Sequence, residues 1–347
     1  MKFSQINWRD VDAGLQNKWQ QLRNSSAIFQ SPYYDPMYSL IVGQARSDTR
    51  FLVIEDAGEV IAFLPYHREN SFAAEVIGGG LTDYQGPICS PEIVLPTTEL
   101  LRAMNVCYMG FNHMPLVRQD FAGFAWEQSR SLTLNLDGGF AAYAQRLQEK
   151  RDASLLKKIE TSERKLSKKL GPVRFCLDAR QPAEFATLLA GKSDQFIRTL
   201  GTEHDIFAVP WIRSVIEAIH HKYSAEFAGV LSTLYAGDTL IAAHFGMRSE
   251  TILHYWFPWY ATTYAEYSPG LILLAACARE AETLGVNLID LGRGEQAYKR
   301  RFATGHHDLC EGAISSPQLV SHAQATYLKL RKNFKNSPLG NYLRQYR

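Results

Sequence analysis

Two β-hairpin patterns in different halves of the chain constrain its fold most strongly. In residues 51–68 two β-rich runs flank an Asp-Ala-Gly turn, and in residues 229–247 two similar runs flank an Ala-Gly-Asp turn. Aligning residues 60–62 with residues 240–242 places the two patterns 180 residues apart. Because single hydrophobic cores rarely grow beyond about 300 residues, the repeat and the length of 347 residues together predict two similar α/β lobes.

A helix-ending signal places the boundary between these lobes. Residues 141–170 read as one long polar helix, which Gly171-Pro172 stops. We therefore expect an N-terminal lobe over residues 1–150, a connecting basic helix over 151–171, a C-terminal lobe over 172–316 and a basic helical tail over 317–347.

The second lobe has a predictable order of elements. Two helices, near residues 182–199 and from about residue 209, should precede the hairpin and a strand over residues 251–259. Pro269, directly after Ser268, should open an apolar helix that ends at Gly285. A strand over residues 286–291 then leads through a glycine-bracketed turn into a basic helix. Such strand–turn–helix units present helix-terminal N–H groups to ligands.

Charge is unevenly distributed, although the net formal charge is only +2. Residues 146–169 contain nine Lys/Arg and four Asp/Glu, and residues 329–347 contain six Lys/Arg and no acid. Basic helices can follow a polyanion or an anionic membrane surface. Pairs such as Glu160 with Arg164 instead favour a solvated helix face, so nucleic-acid binding is not expected.

Other composition signals point to a reducing compartment and to no metal. The five cysteines are scattered singly, without a Cys-x-x-Cys pair. Residues 1–30 lack the apolar core of a signal peptide, and no stretch approaches 18 apolar residues without charge. We therefore expect a cytoplasmic protein. The run His306-His307-Asp308 is the one cluster that resembles metal ligands, and a surface loop is the favoured interpretation.

The second lobe resembles the GNAT acetyltransferase superfamily, specifically the branch associated with cellulose and exopolysaccharide biosynthesis. The matching segments are residues 242–244, 267–273 and 290–302, with residues 29–32 and 82–86 in the first lobe. The two-lobe arrangement is similar to that of Fem-like aminoacyl transferases. The resemblance implies two tandem GNAT-like lobes, each with a mixed, mostly antiparallel sheet flanked by helices. The usual Arg/Gln-x-x-Gly-x-Gly/Ala loop is reduced here to residues 268–270.

The resemblance also implies roles for particular residues. Tyr298 would protonate the leaving thiolate. His244 is a candidate base or substrate ligand, and its counterpart in the first lobe is Leu64, so the second lobe should be the catalytic one. Asp290 would hold the amine or orient Lys299. The cofactor would contact Ser268, Pro269, Gly270, Leu271 and Lys299, and the substrate would contact Asp83, Tyr84, Trp256 and Arg293.

The predicted function is acyl-CoA-dependent N-acyl transfer, with acetyl the expected group. The expected acceptor is an amine, such as an amino sugar or its nucleotide- or lipid-linked form in exopolysaccharide assembly. The sequence is also compatible with peripheral association with a membrane or a synthase complex, and with formation of a homo-oligomer. Two alternatives stay open at this point: aminoacyl transfer from charged tRNA, and a non-catalytic ligand sensor of polysaccharide synthesis.

Overall fold

The computed structural model describes residues 1–150, residues 154–317 and residue 326. These residues form two compact units. The first contains residues 1–12, residues 48–129 and the described residues from 309 onward; the second contains residues 13–47 and 130–308. The predicted tail over residues 317–347 lies outside the described residues, apart from positions 317 and 326.

Both units combine β-sheet with covering helices. The strands of the described residues are β1 (Lys2–Ile6), β2 (Thr49–Asp56), β3 (Glu59–His67), β4 (Ala73–Val76), β5 (Tyr108–Pro115), β6 (Ala125–Asn135), β7 (Val173–Cys176), β8 (Ala228–Ala236), β9 (Thr239–Arg248), β10 (Ile252–Tyr260), β11 (Leu288–Arg293) and β12 (Gly305–Ser315). The α-helices of the described residues are α1 (Ala13–Arg23), α2 (Pro36–Ala45), α3 (Thr97–Met104), α4 (Gln119–Ala122), α5 (Gly139–Glu149), α6 (Leu155–Leu170), α7 (Pro182–Leu200), α8 (Pro210–His220), α9 (Pro269–Glu280) and α10 (Ala297–Phe302).

The strand order within each unit follows one plan. In the first unit it is β1-β2-β3-β4-β5 and then residues 309–315 of β12, and in the second it is residues 130–135 of β6 and then β11-β10-β9-β8-β7; residues 305–308 of β12 also belong to the second unit. Each unit has one parallel pair, β4 with β5 and β10 with β11, while the other strand pairs described within the units are antiparallel. The mixed, mostly antiparallel architecture flanked by helices is therefore confirmed.

The repeated hairpin is confirmed, and both copies contain a shift of the strand register. In β2–β3, Ile54 pairs with Ala62, and the register shifts before Glu55 pairs with Val60. In β8–β9 the same shift occurs between the pair of residues 234 and 242 and the pair of residues 235 and 240. The bulge thus falls at positions that correspond under the 180-residue offset.

Two details of the predicted organisation differ from the structure. The single helix expected over residues 141–170 is wrong, because α5 ends at Glu149, where the N–H of Lys150 donates to the carbonyls of Arg146 and Gln148. The compact units also do not follow the division at residue 150. Residues 13–47 belong to the second unit, where α2 packs against α8 and the Arg46 guanidinium lies 4.9 Å from the Trp211 ring centroid.

The sheet of the second unit is covered on both faces. One face packs on α5, α6 and α9 in a continuous core. On the other face, the Phe245 ring lies 5.0 Å from that of Phe185 on α7. The stop after α6 is sharp, as predicted: Gly171 has a φ of +104°, and an added Cβ would lie 3.2 Å from the Gly237 backbone. Among the described residues, the helices are too short or too polar to cross a membrane.

Candidate active site

The parallel strands β10 and β11 separate after a short paired stretch. Their register contains three pairs only, from Ile252 with Leu288 to His254 with Asp290. Beyond this point β10 continues along β9 after a register shift between His254 and Phe257. The space between residues 255–260 of β10 and residues 291–293 of β11 is called here the β10–β11 cleft. Beyond His254 the backbone groups of β10 on this edge are not paired with β11, so they can hydrogen-bond a ligand.

The cleft has two chemically different sides, because successive strand residues point to opposite faces of a sheet. Tyr255 and Leu291 belong to the core formed with α6 and α9, and we call this the α9 side. His254 and Asp290 lie on the opposite face, where the Tyr33 ring centroid is 4.8 Å from that of His254. We call this the Tyr33 side.

On the α9 side, three aromatic or imidazole side chains meet. The His244 ring stacks on the Tyr255 ring with a centroid distance of 3.8 Å and an interplanar angle of 4°. Tyr298, from the first turn of α10, packs against the core that contains Tyr255. Burial, with smaller contributions from Cys277 and Tyr298, raises the pKa of Tyr255 well above its usual value. Burial raises the pKa of Tyr298 to about 12, so this phenol carries its proton at neutral pH. Burial also lowers the pKa of His244 well below its usual value.

Two buried polar atoms on this side lack a hydrogen-bond partner among the residues that the structure describes. They are His244 Nε2 and the Tyr255 hydroxyl oxygen. The other ring nitrogen of His244 is 3.4 Å from the Ser232 hydroxyl. Buried polar atoms without partners are uncommon in proteins and suit a bound polar ligand.

On the Tyr33 side, the buried carboxylate of Asp290 is surrounded by donors. Its Oδ1 accepts hydrogen bonds from the Ser131 hydroxyl at 2.6 Å and from the Gly292 N–H at 2.8 Å. His307 Nδ1 lies 3.6 Å from Oδ2, and His254 Nδ1 lies 3.8 Å from Oδ1. Burial alone would raise the pKa of Asp290, but these hydrogen bonds and imidazoles hold it well below its usual value.

A basic cavity lies beside the start of α9. Its volume is about 460 Å³, and it lies between α6, the residues that open α9, and Arg301 of α10. Lys157, Lys158 and Lys165 line it together with Arg301, and none of its described lining residues is acidic. Helix N-termini and cations both favour anions. The cavity is therefore suited to phosphate groups.

Ser268 shapes this entrance by its backbone conformation. It precedes α9 with φ 54° and ψ 50°, a left-handed conformation that non-glycine residues rarely adopt. Its carbonyl accepts the N–H groups of Leu271 and Ile272 at 2.9 and 3.2 Å. Ser268 and Leu271 line the basic cavity, whereas Pro269 is buried and an added Cβ on Gly270 would lie 3.4 Å from the Tyr260 ring.

The turn between β11 and α10 is held by Lys299. Its ammonium donates to the carbonyls of Gly292 and Arg293 at 3.2 and 2.9 Å, and the side chain is buried. These contacts fix the turn that precedes Tyr298 in the chain. Contact of Lys299 with a cofactor, and of Arg293 with a substrate, stay predictions.

The remaining predicted substrate residues are Trp256 in the second unit and Asp83 and Tyr84 in the first. Trp256 is on the Tyr33 side, with its ring centroid 5.9 Å from that of Tyr33. Asp83 and Tyr84 lie in the first unit, where Asp83 Oδ1 is 3.4 Å from His113 Nε2 and Tyr84 is buried. Their predicted contact with substrate stays a prediction.

Sequence reasoning missed two neighbours of Asp290. His307 was interpreted as part of a surface loop, which is wrong, because it lies near the start of strand β12. Residues 305–308 are Gly-His-His-Asp, without the apolar–polar alternation that predicts a strand, so the sequence carried no signal there. Nothing in the sequence indicated the hydrogen bond between Ser131 and Asp290, because the two residues lie on different strands and are 159 residues apart. Among the described residues, no three or more His, Cys, Asp or Glu side chains are grouped so that they could hold a metal ion.

Comparison with known protein families gives a match in the part of the chain that contains the cleft. Residues 153–300 match the family described as the acetyltransferase (GNAT) domain. No protein of curated function matches the chain significantly. The second unit therefore carries a GNAT-domain match that includes β10, α9, β11 and most of α10.

Three solved structures share the fold at low identity. The C-terminal domain of a protein described as a lysylphosphatidylglycerol synthetase from Agrobacterium fabrum is 12% identical with a TM-score of 0.52, covering 86% of this chain and 92% of that chain. A tandem GNAT protein from the clavulanic acid biosynthesis pathway is 10% identical with a TM-score of 0.50, covering 90% and 98%. FemX is 10% identical with a TM-score of 0.51, covering 92% and 100%. At these identities the comparison concerns the fold alone.

Proposed function

We propose that the second unit is an acyl-CoA-dependent N-acyltransferase and that the transferred group is acetyl. The observation that carries the proposal is the β10–β11 cleft. Tyr260, the last residue of β10, lies next to Gly270 at the start of α9, and the neighbouring Ser268 and Leu271 line the basic cavity. A GNAT-domain match over residues 153–300 supports it. In this interpretation the cleft accepts the thioester arm, and the cavity accepts the phosphates.

Phosphate binding would be shared between α9 and α6. Ser268 and Leu271 line the cavity at the helix start, with Pro269 and Gly270 between them. Lys157, Lys158, Lys165 and Arg301 add four positive charges around the same space. Coenzyme A carries several negative charges on its pyrophosphate and ribose phosphate, so the donor set fits that part of the molecule.

The arm of the donor would meet polar groups along the cleft. Backbone groups of β10 beyond His254 no longer pair with β11 and can hydrogen-bond an amide or polarise the acyl carbonyl. The partnerless atoms of His244 and Tyr255 lie on the α9 side. A pantetheine amide could satisfy either atom.

The chemical step would be direct transfer to an amine. The amine nitrogen loses a proton to a base and forms a bond to the acyl carbon, the carbon–sulfur bond breaks, and the leaving thiolate takes a proton from an acid. Tyr298 is the proposed donor of that proton, because its pKa of about 12 keeps the phenol protonated and it lies against the core beside Tyr255.

An amino sugar, free or in nucleotide- or lipid-linked form for exopolysaccharide synthesis, is the proposed acceptor. A cleft of about 260 Å³ contains two aromatic residues, Trp259 and Tyr260, beside Asp194, Gln195 and Arg198. Gly191, inside α7, makes room for the indole, since an added Cβ would lie 2.0 Å from Trp259 Nε1. Aromatic surfaces next to planar polar groups suit the apolar face and the hydroxyls of a sugar ring.

The test is a thiol-release assay with the purified chain and acetyl-CoA. We expect release that depends on added hexosamine and yields an N-acetylated product by mass spectrometry. Hexose without the amine is the matched control and should give no release above background. No hexosamine-dependent release, together with transfer from a charged tRNA in a parallel reaction, would replace this proposal with aminoacyl transfer.

Binding without any product in either reaction would instead favour the ligand-sensor alternative. The structure offers one argument against it: a protonated phenol and a carboxylate–imidazole group lie on opposite sides of one cleft. A sensor has no need for such a pair, whereas acyl transfer to an amine requires both an acid and a base.

A further inference from the structure

The Tyr33 side of the cleft contains an imidazole for which sequence reasoning assigned no chemistry. His307 lies near the start of β12, and its side chain retains 28% exposure, whereas the neighbouring carboxylate of Asp290 is buried. Asp290 is also the last β11 residue paired with β10. This imidazole and carboxylate therefore sit where the cleft begins.

We propose that His307 removes the proton from the acceptor amine and that Asp290 positions it. The inference rests on the proposed function and deepens it, because it assigns the base and the side of entry of the acceptor. It requires the acceptor to approach from the Tyr33 side.

The contacts of Asp290 explain how the imidazole would be held. Oδ1 already accepts from the Ser131 hydroxyl and the Gly292 N–H, which fixes the carboxylate and leaves Oδ2 toward His307 Nδ1 at 3.6 Å. Catalytic pairs are often longer than a normal hydrogen bond before substrate binds. With the Nδ1 proton directed at Asp290, Nε2 is the ring nitrogen that would accept the proton of the amine.

The other two imidazoles near the cleft are less suited to the task. His244 is fully buried on the α9 side and stacked on Tyr255. His254 is 1% exposed and packs edge-on against the Tyr33 ring. His307 combines contact with a buried carboxylate and access from solvent.

The proton balance of the step is complete with the groups present. His307 Nε2 takes one proton from the attacking amine, while the nitrogen forms its bond to the acyl carbon. The carbon–sulfur bond breaks, and Tyr298 gives its proton to the sulfur. Proton exchange with solvent returns both side chains to their starting forms, so no further reactant is needed.

The experiment compares two neighbouring histidines in the full-length chain. His307→Ala should lower kcat at least about 100-fold, the lower range for loss of a general base, with the KM for acetyl-CoA unchanged. Added imidazole should restore a substantial part of kcat in this variant. His306→Ala is the control and should retain wild-type kcat, because that exposed side chain lies 3.6 Å from Asp308.

Asp290→Asn tests the positioning role separately. It should lower kcat without raising the KM for acetyl-CoA, and added imidazole should not restore it, since the missing group is the carboxylate and the native imidazole is still present. Thermal unfolding of each variant checks the fold, and His307→Gln replaces His307→Ala if the latter unfolds.

The outcomes separate this inference from the proposed function. A wild-type chain that transfers acetyl, with His307→Ala and His307→Gln equally active, overturns the inference alone. If His307→Ala loses kcat and added imidazole does not restore it, the assignment of His307 as the base is overturned. A wild-type chain with no transfer from acetyl-CoA overturns the proposed function first, and then the assignment that depends on it.

Discussion

At the scale of single residues, the cleft separates proton-donating from proton-accepting groups. Tyr298 lies on the α9 side and keeps its proton because burial raises its pKa to about 12. Asp290 lies on the Tyr33 side and keeps its negative charge because hydrogen bonds and nearby imidazoles outweigh its burial. An acid and a carboxylate-held imidazole on opposite sides of one opening suit a reaction in which a nucleophile enters from one side and a thiol leaves from the other.

The first prediction concerns the phenol of Tyr298. Tyr298→Phe should lower kcat about 100-fold, because the leaving thiolate loses its proton donor, while the dissociation constant of acetyl-CoA stays within about twofold. Thiol release and calorimetry measure the two quantities.

Tyr143→Phe is the matched control for that substitution. This buried phenol belongs to the same core and donates to the Phe302 carbonyl at 2.8 Å. Its removal should lower the free energy of unfolding by about 1 kcal/mol and leave kcat unchanged. Equal turnover for Tyr298→Phe and the wild type would remove the acid assignment.

The sequence predicted the strand or turn in which several candidate residues lie, and their roles stay predictions. Tyr298, His244 and Asp290 all lie in the second unit, two of them in β9 and β11 and one at the start of α10. His307 could not be assigned to Asp290, because a sequence pattern does not show which strands become neighbours. Lys299 was predicted to contact a cofactor, and the contacts seen are with two backbone carbonyls of the turn.

At the scale of elements, α6 and α9 form the basic cavity together. The sequence predicted the start of α9 from Pro269, and the positive charge of the segment that becomes α6. It could not show that three lysines of one helix line a cavity beside another helix, because that depends on how α6 packs. The excess of positive charge was instead interpreted as a solvated face.

The prediction at this scale concerns phosphate binding. Simultaneous replacement of Lys157, Lys158 and Lys165 by alanine should raise the dissociation constant of acetyl-CoA roughly tenfold, because each exposed charge pair contributes up to about 1 kcal/mol. The effect should shrink as salt rises. Calorimetry at two salt concentrations measures both.

Two comparisons make that result specific to the cavity. Lys168→Ala with Lys169→Ala removes exposed charges of the same helix that do not line the cavity, and acetyl-CoA affinity should be nearly unchanged. Acetyl-pantetheine, which lacks the phosphates of coenzyme A, should bind the triple variant and the wild type equally. Equal acetyl-CoA affinity in the triple variant and the wild type would place the phosphates elsewhere.

At the scale of the whole molecule, two units share a plan and differ in chemistry. Both contain the bulged hairpin and one parallel strand pair. Beside the parallel pair of the first unit is a cleft of about 330 Å³ whose described lining contains Glu69, Glu75 and Glu311 and no basic side chain. Leu64 is the counterpart of His244 there. Carboxylates repel phosphates, so the first unit is not expected to bind acyl-CoA.

The central claim is that one chain binds one acyl-CoA, in the second unit, and transfers its acyl group. Titration of acetyl-CoA into the wild-type chain in a calorimeter tests its first part most directly. The account predicts a single site per chain whose affinity falls as salt is raised. No binding at millimolar acetyl-CoA, or two equivalent sites per chain, would contradict it.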